Sequence, residues 1–283
     1  MLGYLFALGS AFLGSAKDLV SKRLSFSLNG YASGLASFCY ALPFYSVAYL
    51  LVLILGWETP CTSLRFWLLV LARSTTDACA EWLKMSSLSL ADISLVAGFL
   101  AMSPLFLLGL SPLITGDWPS WPGALGVVVA VAGSLLTLTG ENHAPSSHAA
   151  KGVGLALLAS LFFALNSCFD RLAVLEAGPV GSGFAMTAVA ALLLLPLRRG
   201  QKLGWAGLQR LLLLRGALEI SFMIAKLSAL QTLQAPYVAA FQKLALLLSV
   251  ALGGRLFGEK QTGRRTAGAS LILLGALLIV LSP

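Results

Sequence analysis

Two apolar stretches of this chain are interrupted in the same way, by charges that share one helical face. The segment Arg73–Lys84 reads RSTTDACAEWLK, and at a constant offset Arg215–Lys226 reads RGALEISFMIAK, so that Arg73 matches Arg215, Asp77 matches Glu219 and Lys84 matches Lys226. At about 100° per residue, positions i, i+4 and i+11 fall at roughly 0°, 40° and 20° around a helix, so each trio occupies one face. Glu81 extends the first face at about 80°, and Trp82 points the opposite way. A charge at the bilayer centre costs roughly 2.5–3.5 kcal/mol even on the mildest scale, so such groups face a bundle interior or a watery cavity. Two helices with the same polar stripe imply a duplicated membrane protein with a polar centre.

Composition enters here to exclude the soluble alternative. Of 283 residues, 58% are hydrophobic and only 11% charged, where soluble domains carry about 25% charged residues. Mean hydropathy is +0.88. The net charge of +8 would suggest nucleic acid in a soluble chain; here basic loops held on the cytoplasmic side explain it, and no nucleic-acid partner is expected. Cys39, Cys61, Cys79 and Cys168 have neither metal nor disulfide-framework spacing. Residues 1–16 lack a basic leader and Lys17-Asp18 follows without a cleavage site, so the first segment reads as a retained membrane helix.

A helix needs about 20 apolar residues to cross a bilayer. On that rule the chain divides into ten spans, at about 2–22, 31–55, 64–89, 92–114, 121–139, 152–175, 179–197, 206–232, 235–254 and 264–282. The polar stretch GENHAPSSHAAK (140–151) is the clearest linker. The expected class is therefore all-α: a polytopic membrane protein with ten transmembrane helices. Its organisation is a first five-helix repeat over 1–140, a polar linker over 141–151 and a second five-helix repeat over 152–283. Internal matches support the repeat: Phe99/Phe241, Gly116/Gly258, Gly126/Gly268, Gly133/Gly275 and the acids Asp117/Glu259 keep the same offset as the charged stripes. Each repeat has an odd number of spans, so the second enters the membrane from the opposite side. Such 5+5 inverted repeats belong to secondary transporters, with a binding site near the midplane.

With these residues assembled, the chain resembles EamA-type proteins of the drug/metabolite transporter superfamily. The resemblance is carried by Leu214-Arg215-Gly216, the small residues around Ala239, Phe257-Gly258-Glu259 before a basic turn, and Gly268 and Gly275 in the last span. The first half matches more loosely through Arg73, Gly116-Asp117, Gly126 and Gly133. It implies spans 1–4 and 6–9 around a central cavity, with spans 5 and 10 behind. Asp117 stands where the family has Glu, and Lys84, Lys226 and Lys243 are additions to the family pattern.

Each candidate residue has a structural and a functional reading. Arg73 with Asp77 and Arg215 with Glu219 have the spacing of ion pairs that lock helices together, or they line a cavity that binds substrate or protons. Lys84 and Lys226 lie about six residues from their span ends, near enough to snorkel to the interface, or they bind substrate. Lys243 is harder to explain structurally. It sits mid-span beside Gln242, and the matched position is Ala101. The substrate-binding candidates are therefore Arg73, Lys84, Arg215, Lys226, Gln242 and Lys243. Asp18, Asp77, Glu81, Asp170 and Glu219 are candidates for proton coupling or ion pairing. Members of the adjacent pairs Lys17-Asp18 and Asp170-Arg171 point about 100° apart and need not pair with each other. Gly126, Gly133, Gly268 and Gly275 read as close-packing positions. His143 and His148 fall in the linker without metal-binding partners; no metal, no cofactor and no catalytic residue is expected, because neither a phosphate loop nor an HExxH motif is present.

These features point to a secondary transporter, not an enzyme, that moves a small polar metabolite by alternating access, with proton coupling or exchange. Six basic groups, Lys17, Arg73, Lys84, Arg215, Lys226 and Lys243, would not be needed for a greasy cation. An anionic or zwitterionic solute fits better, such as an amino acid, a sugar phosphate or a nucleotide conjugate. Helix 3 carries Arg73, Asp77, Glu81 and Lys84, which balance, whereas the second half adds unmatched Lys243; it is expected to make the larger contact with the solute's charged part. The alternatives are an intramembrane lipid-phosphate enzyme and a lipid flippase. The expected partners are the substrate and the lipid bilayer, the expected state a monomer or homodimer, and the expected location a bacterial inner membrane. Lys22, Arg23, Lys151, Arg198, Arg199, Lys202, Arg255, Lys260, Arg264 and Arg265 all fall in odd-numbered loops, which places those loops in the cytoplasm and both termini outside. A Gln201→Cys single-cysteine variant should accordingly resist labelling by impermeant maleimide in intact cells; labelling would reverse the orientation.

Overall fold

The computed structural model describes residues 1–25, 27–28, 30–88, 90, 93–138, 147–198, 204–245 and 263–282. Helix accounts for 87% of it, with no strand among the described residues. In chain order the helices are α1 (Leu2–Ser25), α2 (Gly30–Ile54), α3 (Leu64–Leu88), α4 (Ile93–Leu100), α5 (Ser103–Ile114), α6 (Trp121–Leu138), α7 (Ser147–Leu194), α8 (Gln209–Thr232), α9 (Ala235–Phe241) and α10 (Gly263–Leu281). The segments Gly34–Ile54, Val96–Ile114 and Ala150–Leu194 are long and apolar enough to cross a membrane, and Trp121–Thr137 and Thr266–Leu281 are shorter apolar helices. The charged stripes lie on α3 and α8.

Helix limits fall within a few residues of the expected spans at α1, α2, α3, α6, α8 and α10. Three places differ, each for a physical reason. The fourth span is broken into α4 and α5 because Pro104 has no N–H and its ring crowds the carbonyl one turn back. The backbone tightens there, with Met102 N–H donating to the Phe99 carbonyl at 3.1 Å. The sixth and seventh spans run together as α7 but turn a corner at Gly178, whose φ of 73° and ψ of 173° leave the helical region. Glycine adopts that φ freely, and Pro179 then fits the first turn of the next segment. The ninth span begins as α9 and tightens into a 3-10 turn at Gln242–Leu244; its remainder, like Glu259 and His143 of the linker, lies outside the described residues, whereas His148 falls at the start of α7.

Two compact units emerge, each drawing on both halves of the sequence. The first comprises Met1–Thr75 and Phe169–Thr232. Here α1 and α2 both lie against α8. Close approach depends on glycine. A Cβ at Gly14 would sit 3.3 Å from the Phe222 ring, and one at Gly216 would collide with the Tyr40 carbonyl of α2. The turn between α2 and α3 is tied to the α7 corner, where Glu58 accepts hydrogen bonds from the N–H groups of Val180 (3.0 Å) and Gly181 (2.7 Å). Those are the orphan donors of a helix start, and a carboxylate suits both their geometry and the positive end of the helix dipole. Arg65 pairs with Glu176 at 3.2 Å beside it.

The second unit comprises Thr76–Cys168 and Leu233–Pro283. Its centre is the contact of α6 with α10. Cβ atoms added at Gly126 and Gly133 would lie 2.7 Å and 2.6 Å from the carbonyls of Gly275 and Gly268, and the reciprocal distances are 2.5 Å and 2.7 Å. Gly126 faces Gly275 while Gly133 faces Gly268, so the two helices run antiparallel with their backbones touching. Small residues allow this approach, and dispersion between the backbones is what it gains. At the start of α9, the Tyr237 hydroxyl accepts the Ser120 N–H at 2.9 Å.

Candidate functional site

The polar groups divide between the units. In the first, Asp170 of α7 is the hub, with no exposed surface. Arg73 of α3 donates from Nε to one carboxylate oxygen at 3.1 Å, and Lys226 of α8 reaches the other at 2.7 Å. Three helices thus converge on one carboxylate. The second carboxylate of this unit, Glu219, takes the Arg215 guanidinium one turn away on α8 and lies 3.6 Å from Lys17 of α1. Arg215 also donates from Nε to Ser21 at 2.6 Å, and the Lys17 ammonium sits 4.0 Å over the Phe222 ring. Arg171, next in sequence to Asp170, turns away and donates to the Leu230 carbonyl. Desolvated ions survive only when paired and hydrogen-bonded, and this set has both.

In the second unit, Asp77 of α3 accepts a hydrogen bond from Asn166 of α7 at 2.9 Å, and Thr76 donates to the same Asn166. One turn on, Lys84 binds Glu81 at 2.6 Å, with side chains 29% and 49% exposed, and stands 5.7 Å from the Phe163 ring. Trp82 is exposed, as its angle around the helix implies. Gln242 and Lys243 occupy the 3-10 turn after α9. The Gln242 side-chain nitrogen is buried with no hydrogen-bond partner, and among the described residues no carboxylate pairs with Lys243.

The sequence-derived residues are thus distributed as follows. Arg73, Lys226 and Asp170 meet; Arg215 and Glu219 meet; Lys84 and Glu81 meet; Asp77 joins Asn166; and Gln242 and Lys243 stand together. The Asp18 side chain lies outside the described residues. Tyr45, Asn166 and Ser21 belong with these groups and were not singled out by sequence, because a lone neutral residue in an apolar helix carries no spacing signal. Among the described residues no cluster of His, Cys, Asp or Glu could hold a metal ion.

Known proteins place this architecture. One solved crystal structure superposes with a TM-score of 0.76 at 15% sequence identity, covering 99% of this chain and 98% of its own; at that identity the likeness speaks for the fold alone. No curated protein gives a significant sequence match. Residues 150–281 match the EamA-like transporter family. Its members are membrane transporters of small molecules and not enzymes. The second half of this integral membrane protein is thus similar to the EamA-like transporter family, part of the drug/metabolite transporter superfamily.

Proposed function

We propose that the protein is a secondary transporter of a small anionic or zwitterionic organic metabolite, and that Gln242 and Lys243 bind the solute's carboxylate or phosphate. The observation carrying this reading is that, on the 3-10 turn, the Gln242 side-chain nitrogen is buried without a hydrogen-bond partner beside Lys243, with which no carboxylate pairs among the described residues. Burying a donor unmet costs about 1–3 kcal/mol and a charged one more, so an acceptor-rich ligand recovers what the empty state loses. The other stripe cations have carboxylates already: Arg73 and Lys226 share Asp170, Arg215 and Lys17 share Glu219, and Lys84 has Glu81. Arg73, Arg215, Lys226 and Lys84 then tune the electrostatics of the pathway while their partner acids act as fixed counter-charges.

The architecture proposed with this function is ten spans in a 5+5 inverted repeat working by alternating access in a bacterial inner membrane, odd-numbered loops inside. The antiparallel contact of α6 with α10 supports it, since Gly126 and Gly133 in one match Gly268 and Gly275 in the other, and an inverted repeat brings equivalent helices together in opposite directions. The test is a thermal-shift screen of the purified full chain against amino acids, sugar phosphates, nucleotide sugars and organic cations, followed by uptake of the stabilising compound into proteoliposomes. The expected result is stabilisation by an anion or zwitterion that is recovered chemically unchanged inside the vesicle. Stabilisation by organic cations alone, or conversion of the compound, would reject the reading.

A further inference from the structure

The connection from α5 into the first turn of α6 reads TGDWPSWPG (115–123), and two of the chain's six tryptophans stand in it. Trp118 is 75% exposed and Trp121 84%. Each is followed by a proline, which fixes its own φ and restricts the residue before it. Gly116 turns the chain with a φ of 75°, a value that glycine adopts without steric cost. Two hydrogen bonds tie the connection to the start of α9. Gln234 donates from Nε2 to the Trp118 carbonyl at 3.1 Å, and the Ser120 N–H donates to the Tyr237 hydroxyl at 2.9 Å. A Cβ at Gly123 would collide with that hydroxyl, so the glycine admits the second tie. A braced segment thus holds two large apolar rings at the surface, and packing within the protein does not explain them.

What covers the rings follows from where the segment stands. It joins the apolar span Val96–Ile114 to the apolar helix Trp121–Thr137, so it lies where hydrocarbon gives way to polar surroundings. Trp121 heads an exposed stripe on α6, with Leu125 and Val128 one and two turns further on the same face, and Leu113 is exposed in the last turn of α5. Such a stripe suits acyl chains. The indoles suit the level above them: the ring is too apolar for water, while its N–H needs an acceptor that hydrocarbon lacks and lipid ester and phosphate oxygens supply. The Asp117 carboxylate and the Ser120 hydroxyl in the same segment exclude a deeper place. We infer that Trp118 and Trp121 form a rigid anchor that seats this connection in the interfacial layer of the bilayer, against the ester and phosphate region of the lipids. Through Gln234 and Tyr237 the same segment holds the start of α9, the helix that leads to Gln242 and Lys243. The anchor is independent of which solute is carried.

The test is tryptophan fluorescence of the purified full chain in phosphatidylcholine vesicles, comparing wild type with the double variant Trp118→Phe, Trp121→Phe. The difference between their emissions belongs to the two indoles. It is recorded with lipids brominated near the glycerol end of the acyl chains, with lipids brominated near the methyl end, and with iodide in the water on both sides. The expected result is a larger loss of emission to the shallow bromine than to either other quencher. Both substitutions fall at exposed positions, so the double variant should fold; if it does not, Trp118→Phe and Trp121→Phe singly report one ring each. Greatest loss to iodide would place the rings in water and overturn the inference. Greatest loss to the deep bromine would place them in hydrocarbon and overturn it as well. Protection from all three quenchers would mean that protein covers the rings, such as a second copy of the chain, and would also overturn it.

Discussion

Asp170→Asn should cost about 3–5 kcal/mol of stability and lower the melting temperature by roughly 10 °C, or leave little folded protein to purify. The argument is one of unpaired charge. Asp170 has no exposed surface and holds both Arg73 and Lys226. Asparagine keeps the shape but removes the negative charge, so two cations lose their shared counter-charge in a dry interior. The desolvation already spent on them is then uncompensated. Glu81→Gln provides the contrast. It breaks the pair with Lys84, but that pair is 29% and 49% exposed, and such pairs contribute about 0–1 kcal/mol. Thermal unfolding of the two variants in one detergent reads the difference. Equal melting temperatures would show that Asp170 is not the hub that the geometry makes it.

The second large effect belongs to the α6–α10 contact. Gly133→Leu should separate these helices, because its Cβ would meet the Gly268 carbonyl at 2.6 Å and the Ile272 backbone nitrogen at 2.7 Å. Backbone atoms cannot step aside as a side-chain tip can, so the cost should be at the upper end of overpacking, about 3 kcal/mol or more. Gly109→Leu is the control, since nothing lies within 4 Å of its Cβ position. Leucine in a helix gains roughly 0.8–1 kcal/mol over glycine, so this variant should be neutral or slightly more stable. The two identical substitutions are thus expected to differ in sign. Size-exclusion profiles and melting curves read both, and matching behaviour would remove the close-packing account.

What the sequence disclosed and what it withheld follow from the range of each interaction. Local spacing showed the faces of α3 and α8, the Arg215–Glu219 pair one turn apart and a separation of spans just before Pro179, but the break of the fourth span at Pro104 was not expected. The glycine pairs were legible as packing positions because their repeat offset is kept and small residues have few other uses in a membrane helix. Partner choice was not legible. Lys84 and Lys226 are equivalent by repeat, yet one pairs with Glu81 on its own helix and the other with Asp170 on α7. Nothing periodic ties Arg73 to a residue on another helix 97 positions away. Asn166, Tyr45 and Glu58 were missed for the same reason: each acts through a tertiary contact, and none belongs to a motif. Sequence could mark Lys243 as unusual, whereas its lack of a carboxylate partner among the described residues needed the structure.

The central claim is that Gln242 and Lys243 hold the negative group of the solute, and one comparison tests it directly. The affinity of folded protein for its stabilising anion is measured by equilibrium binding in wild type, Lys243→Gln and Lys84→Gln. Loss of a hydrogen bond to a charged group predicts an affinity at least about tenfold weaker for Lys243→Gln. Lys84→Gln should stay close to wild type, because Glu81 already neutralises that lysine. Wild-type affinity in Lys243→Gln, or a substrate that proves to be a simple cation, would contradict the account.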